Sequence, residues 1–322
     1  MSSGTLSDKV SALTLVVQES PVHNMKALES LLNLARKRSR GQAVDVLKAL
    51  KDLLAQGAVL PANRKLRSFM HQPGLAAAFQ SSSRDWKPGH SLPSSLQDAH
   101  LVSWAYEDWL KNIYFELLKV LERWCNDEVE FARGRAISYV WELLKEKPEQ
   151  ESNLLRLLVN KIGDPEKKIA SKVSFLLLQL ESIHPLMKST IISAVESELL
   201  FRPGQSSHAK YYAIITLNQT VLSAKEGPVA RNLLDIYFSL FVSLLKRPEE
   251  TKTVPTSSNA TKVNKKGQVQ GGGGLAGKHS RRKIASRRRG NGLDDELREK
   301  MISAVLTGVN RAIPFATIDT TT

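Results

Sequence analysis

Residues Asp164 to Leu200, DPEKKIASKVSFLLLQLESIHPLMKSTIISAVESELL, decide the fold. Ile169, Val173, Leu176, Leu177 and Leu180 recur at the spacing of one helix face, while Lys167, Lys168 and Lys172 fall mainly on other faces. Asp164 is suited to cap this helix, and Pro165 to its first position, where no amide hydrogen is needed. Pro185 marks a turn, after which Ile191, Val195 and Leu199 form the stripe of a second, antiparallel helix. A lone helix pair leaves both stripes in water, so the pattern calls for similar pairs stacked on either side.

The flanking sequence supplies them. Shifted by 37 residues, Asp127 falls on Asp164, Ala136 on Val173, Tyr139 on Leu176, Val140 on Leu177, Leu143 on Leu180 and Pro148 on Pro185. A weaker copy begins near Ser206, with Lys210, Ile214 and Ile215 offset by 38 from Lys172, Leu176 and Leu177. Helices over 149–162, 186–200 and 228–246 complete the pairs. A repeat of this length with two helices per unit predicts an all-α, HEAT/armadillo-like helical-repeat solenoid. No segment shows the period-two alternation of a half-buried strand.

Towards the N-terminus, Thr5-Leu6-Ser7-Asp8 has the form of a capping box, and Leu6, Val10, Leu13 and Val17 share one face of the helix it starts. Ser20-Pro21 ends that helix, and Asn24 is suited to cap the next. A third is expected over 42–56 with Gly57 as its stop. From Leu60 to Gln97 the periodicity lapses among four prolines and a serine-rich run, which predicts an irregular connection. A long helix follows over 98–124, with Val102, Tyr106, Trp109, Ile113, Leu117, Val120 and Leu121 on one side. Its Trp104, Trp109 and Trp124 are read as fillers between helices rather than base-stacking platforms.

The net charge of +14 is concentrated in one place. Between Thr251 and Leu293 there are eleven Lys and Arg and no Asp or Glu, which leaves only +3 for everything else. That segment also holds four consecutive glycines, Gly271 to Gly274, and too little apolar surface to fold. The expected organisation is therefore a helical-repeat domain over 1–250, a disordered basic, Gly-rich linker over 251–293 and a last helical stretch over 294–322, where Leu297, Met301, Val305 and Val309 share a face.

Catalytic and cofactor chemistry finds little to stand on, and no cofactor is expected. Gly272-Gly273-Gly274-Leu275-Ala276-Gly277-Lys278-His279 follows a phosphate-binding loop until His279 replaces the magnesium-binding Ser or Thr, and no strand precedes it. The seven histidines never meet the single cysteine, Cys125, at metal-ligand spacing. Acidic pairs such as Glu107-Asp108 and Asp127-Glu128 read as solvated charge at helix ends or on polar faces. One cysteine permits no intrachain disulfide, which fits a reducing compartment. The N-terminal residues lack a signal-sequence core, and the most apolar window, Ile236 to Leu245, is too short to span a bilayer, so a soluble intracellular protein without membrane association is expected. Lys278, Arg281, Arg282, Lys283, Arg287, Arg288 and Arg289 form the candidate binding tract. Such charge density suits a nuclear-import receptor or the phosphates of RNA, and nothing in it reads base sequence.

Near the C-terminus, Leu306-Thr307-Gly308-Val309-Asn310-Arg311-Ala312-Ile313-Pro314-Phe315, preceded by Lys300-Met301-Ile302-Ser303-Ala304-Val305, closely resembles a signature of the CCAAT-binding-factor (CBF) family of nucleolar proteins. Gly308, Asn310, Arg311 and Pro314 are its most distinctive positions. Other stretches agree in the same order: Gly4 to Ala12, Leu60-Pro61-Ala62-Asn63-Arg64-Lys65-Leu66-Arg67, Asn160 to Pro165 and Ala209 to Ile214. The resemblance implies a non-enzymatic helical-repeat scaffold for early assembly of the large (60S) ribosomal subunit in the nucleus and nucleolus. It further implies binding to pre-ribosomal RNA, a sister nucleolar complex protein and other pre-60S assembly factors, and, through an older designation, to DNA at CCAAT promoter elements. Family members extend on both sides of these motifs, so the chain is expected to be a piece of a longer protein in which 294–322 begins the CBF region.

Overall fold

The computed structural model describes residues 5–37, 39–57, 59–81, 87, 96–245 and 295–316. Among these residues the structure is all-helical, with no strand. The basic segment over 251–293, including the tract from Lys278 to Arg289, lies outside the described residues. The chain divides into two compact units, Met1–Pro203 and Gly204–Thr322.

The first unit contains α1 (Leu6–Glu19), α2 (Met25–Ala35), α3 (Arg40–Ala55), α4 (Pro73–Ser81), α5 (Asp98–Cys125), α6 (Glu130–Glu146), α7 (Glu151–Asn160), α8 (Lys167–Ile183) and α9 (Lys188–Val195), the last prolonged by a π turn over Glu196–Leu200. The α1 start is the expected capping box: the Asp8 amide donates to Thr5 Oγ1 at 3.3 Å, and the Thr5 amide donates to Asp8 Oδ2 at 3.0 Å. From α3 onward, the short α4 aside, the helices alternate between two layers. In one, α3 packs on α6 and α6 on α8; in the other, α5 packs on α7 and α7 on α9.

The 37-residue shift survives in the structure to the residue. Helices α6 and α8 are each 17 residues long, and both ends of α8 lie 37 positions after those of α6. Asp127 and Asp164 occupy the same place before them, each accepting from the amide two residues on, Val129 at 2.8 Å and Glu166 at 3.0 Å. Asp164 is thus not the helix cap expected from the sequence; Glu166 holds that position, and Asp164 turns the chain into it. Val140 and Leu177, and Leu143 and Leu180, are fully buried pairs related by the shift. Burying each such side chain contributes about 1.5–3 kcal/mol.

In the second unit α10 (Ser207–Gln219), α11 (Gly227–Leu245) and a helix over 295–312, here α12, share a core. In α10 the buried residues are Ala209, Ala213, Ile214, Thr216 and Leu217, while Ile215 is only half-buried. Its packing therefore matches Leu176, Leu177 and Leu180 at an offset of 37, not 38. By length and composition α11 is apolar enough to cross a membrane, because it starts well before the window read from the sequence. It nevertheless carries Arg231 and Asp235, and it buries Ala230, Leu233, Ile236, Tyr237 and Leu240 within the unit.

The connection over 60–72 is irregular, as expected, but it is held tightly, and a short α4 follows it. Its backbone groups, which have no helical partners, are met by side chains from α5 and from the α6–α7 turn. Glu107 accepts from the Arg67 amide at 2.9 Å and from Gln72 Nε2 at 3.0 Å, and also pairs with Arg64. Asp108 accepts from the Phe69 amide at 3.1 Å, Glu149 accepts from the Leu66 amide, and Lys111 and Lys147 donate to the carbonyls of Leu66 and Leu60. Glu107 and Glu149 are buried. The solvated reading of the Glu107-Asp108 pair is therefore corrected: these carboxylates substitute for the backbone partners that an irregular segment lacks.

Candidate functional site

Three polar or aromatic constellations stand out among the described residues. The first is a buried ion cluster at the junction of α6 and α8. Arg133 Nη2 lies 3.3 Å from Asp164 Oδ1, and Lys161 Nζ lies 3.5 Å from Asp164 Oδ2. The Asp164 side chain is 1% exposed. Arg133 also donates to the carbonyls of Asp127 and Glu128, so the cluster ties the start of one repeat to the start of the next.

The second explains part of the C-terminal motif. Gly308 sits on the buried face of α12, where a Cβ would collide with Asn218 Oδ1 and the Tyr237 ring. Those two side chains are themselves joined, Tyr237 donating its hydroxyl to Asn218 Oδ1 at 2.7 Å while Asn218 Nδ2 donates to the Ala304 carbonyl at 2.8 Å. Burial raises the Tyr237 hydroxyl above its ordinary value, so it remains a donor. The structure brings Gly308 into this contact and leaves Asn310, Arg311 and Pro314 exposed. Val309, expected on the inner face, is half-buried; Gly308 and Ala304 take the inner positions, because only small residues fit where the helices approach.

The third lies on the outer faces of α6 and α8. A groove of about 230 Å³ runs between them, with Phe131, Gly134 and Arg135 on one wall and Lys168, Ile169 and Lys172 on the other. Arg135 lies over the Phe131 ring, 5.2 Å from its centroid. Lys172 Nζ donates to the Gly134 carbonyl at 2.6 Å, and burial, then the Arg135 charge, holds its ammonium below the ordinary lysine value. Phe131 and Phe175 are 62% and 58% exposed. Further along α6, Lys145 lies over the Trp141 ring at 5.2 Å, and Trp141 Nε1 donates to the Leu176 carbonyl at 2.8 Å. The sequence reading passed over Phe131, Arg135 and Phe175, while Lys168 and Lys172 lie off the buried stripe of α8, as expected. The signal was there in the four-residue spacing from Phe131 to Arg135 and from Lys168 to Lys172, which places rings and cations on one helix face.

The tryptophans of α5 act as the sequence suggested. Trp109 Nε1 donates to Glu29 at 3.1 Å and Trp124 Nε1 to the Ala35 carbonyl at 3.4 Å, while Trp104 packs edge-on against Phe69. The stripe of α5 is shifted, however: Val102 is exposed, and Leu110, Tyr114, Leu117 and Leu121 carry the burial. No group of three His, Cys, Asp or Glu among the described residues is placed to hold a metal ion.

No protein-family model matches the chain. It is 53% identical to the ribosome biogenesis protein NOC1 of Chaetomium thermophilum, across 100% of this chain and 30% of that protein. It is 34% identical to human CCAAT/enhancer-binding protein zeta, across 98% of this chain and 25% of the relative. Nucleolar complex protein 1 of Drosophila melanogaster is 33% identical across 76% of this chain and 20% of its own length. The chain thus spans between 20% and 30% of the length of these relatives.

Proposed function

We propose a function from one premise: the chain belongs to the family of ribosome biogenesis protein NOC1 and CCAAT/enhancer-binding protein zeta. It acts in ribosome biogenesis as a non-enzymatic scaffold of the nucleolus, binding pre-ribosomal RNA, a sister nucleolar complex protein and other pre-60S factors. The observation that carries this reading is the 53% identity, over the whole chain, to a protein named for ribosome biogenesis. The stacked α3–α6–α8 and α5–α7–α9 layers support a HEAT/armadillo-like solenoid over 1–250, whose repeats offer extended surfaces for partners. In this reading the linker over 251–293 adds sequence-independent attraction for RNA and a nuclear address through Lys278, Arg281, Arg282, Lys283, Arg287, Arg288 and Arg289, and 294–322 opens the CBF region.

Crosslinking in cells, with sequencing of the attached RNA and mapping to peptides, tests the proposal. Recovery of pre-ribosomal RNA on this chain is the expected result; recovery of proteins without RNA would replace the RNA scaffold with a protein-only adaptor. A second reading, a regulator acting at CCAAT elements, is favoured only by the name of the human relative. Competition between a CCAAT duplex, a scrambled duplex and pre-ribosomal RNA separates the two, and preference for the CCAAT duplex would reverse their order.

A further inference from the structure

The groove between α6 and α8 has the composition of a surface made for a polyanion with flat faces. Three cations, Arg135, Lys168 and Lys172, line it with one carboxylate, Glu130, and that carboxylate reaches only Lys168, at 3.9 Å on the exposed rim. Among the described residues no carboxylate is paired with Arg135 or Lys172, although Arg135 lies close enough to disfavour the charge on Lys172. Like charges held together without a counterion are stabilised by an anion from outside. Lys172 is further positioned by the Gly134 carbonyl, so its ammonium is held across the groove rather than free in solvent.

The aromatic groups narrow the choice of anion. Phe131, which lines the groove, and Phe175, one turn after Lys172 on α8, expose most of their rings, a placement that costs apolar hydration and gains nothing for the core. One face of Phe131 is taken by Arg135, whose planar guanidinium offers a second stacking surface over it. Cations tracking a phosphate chain, with rings between them for unstacked bases, are the elements of single-strand recognition. A duplex keeps its bases stacked and would use the cations alone. An acidic peptide would also use the cations but leave the rings without flat partners.

We propose that the α6–α8 groove is a single-stranded RNA site, in which Arg135 and Lys172 hold phosphates and Phe131 and Phe175 stack with bases. This deepens the RNA-scaffold reading and rests on it. The site lies in folded repeats, separate in sequence from the basic segment over 251–293, and it predicts that the repeats themselves grip RNA.

The test is fluorescence anisotropy of a labelled single-stranded oligouridine with the full chain, comparing Arg135→Glu, the double variant Phe131→Ala/Phe175→Ala, and Arg231→Glu as an equal charge change on α11, a helix that does not line the groove. All the substituted side chains are exposed, and thermal unfolding verifies each fold. Arg135→Glu should weaken binding about tenfold or more. The aromatic double variant should weaken it by a similar factor while leaving the salt dependence unchanged, and Arg231→Glu should have a much smaller effect. If the full chain binds but the groove variants match Arg231→Glu, the groove is overturned and the RNA reading stands. If the full chain binds no RNA at any salt, both fall. Loss of oligoglutamate binding in the Arg135→Glu variant, with oligouridine binding intact, would assign the groove to an acidic peptide instead.

Discussion

Gly134 and Gly308 both sit inside helices, yet they meet opposite surroundings. A Cβ on Gly134 would lie 3.5 Å from Ile169 Cδ1 and 3.8 Å from Lys172 Nζ, which is ordinary contact. Gly134→Ala should therefore stabilise the protein by about 0.5–1 kcal/mol, through the backbone freedom that glycine loses on folding. On Gly308 the same atom would overlap Asn218 and Tyr237, and the hydrogen bond joining them would have to move. Gly308→Ala should cost about 1–3 kcal/mol, as overpacking does. Urea unfolding of the two variants followed by circular dichroism should thus shift in opposite directions. Cys125 makes a third residue-scale case. Burial pushes its thiol up to about 12, so little thiolate exists at neutral pH. Native protein should resist a disulfide-exchange reagent and react only on unfolding; rapid reaction of folded protein would show that the α5 terminus opens.

At the scale of elements, the repeat depends on what joins α6 to α8. Asp164→Ala leaves Arg133 and Lys161 facing a buried void, and should cost about 3 kcal/mol, measured by denaturant unfolding, because the charges lose their partner but not their burial. The 60–72 segment has a different dependence, on pH. Burial alone would raise the Glu107 carboxyl, but hydrogen bonds from Arg64, the Arg67 amide and Gln72 outweigh it and hold the group below the usual carboxylate range. A depressed native value means stability that is complete above the unfolded-state value, about 4.3, and is lost as pH falls through the native one. Exchange of the Arg67 amide should accelerate over that acid window, and Glu107→Gln should expose it already at neutral pH. Unchanged exchange in the variant would mean the segment is held by its other contacts. These elements also divide what the sequence could reveal. The correspondence of α6 and α8 was legible in its 37-residue shift, because one helix face buried twice leaves the same periodic mark twice, whereas the helix start was read two residues early. The anchoring role of Glu107 was not, since its partners are backbone amides and side chains 35 to 43 residues away, and spacing along a helix carries no trace of them. The groove was half legible: Lys168 and Lys172 showed in the sequence, but Arg135 and the packing that leaves Phe131 and Phe175 outside did not.

For the whole chain, the deciding quantity is where its positive charge resides. Removing residues 251–293 lowers the formal net charge from +14 to +3, so the segment supplies most of any long-range attraction. The groove on α6 and α8 contributes few charges but holds them beside the exposed Phe131 ring. These two contributions respond differently to salt. Each phosphate neutralised on a single strand releases condensed counterions and adds about 0.7 to the slope of log affinity against log salt. Deleting 251–293 should therefore flatten the slope for oligouridine by several such steps and lower affinity most at low salt. Ring stacking releases few counterions, so the Phe131→Ala/Phe175→Ala chain should lose affinity by a near-constant factor at every salt concentration. Titrations of the intact chain, the deletion and the ring variant across a salt series measure both effects in one experiment. Parallel displacement by the ring variant together with a flattened line for the deletion would mean that the linker gathers RNA and the repeats hold it. A flattened line for the ring variant, or an unchanged slope after deletion, would contradict that division of labour.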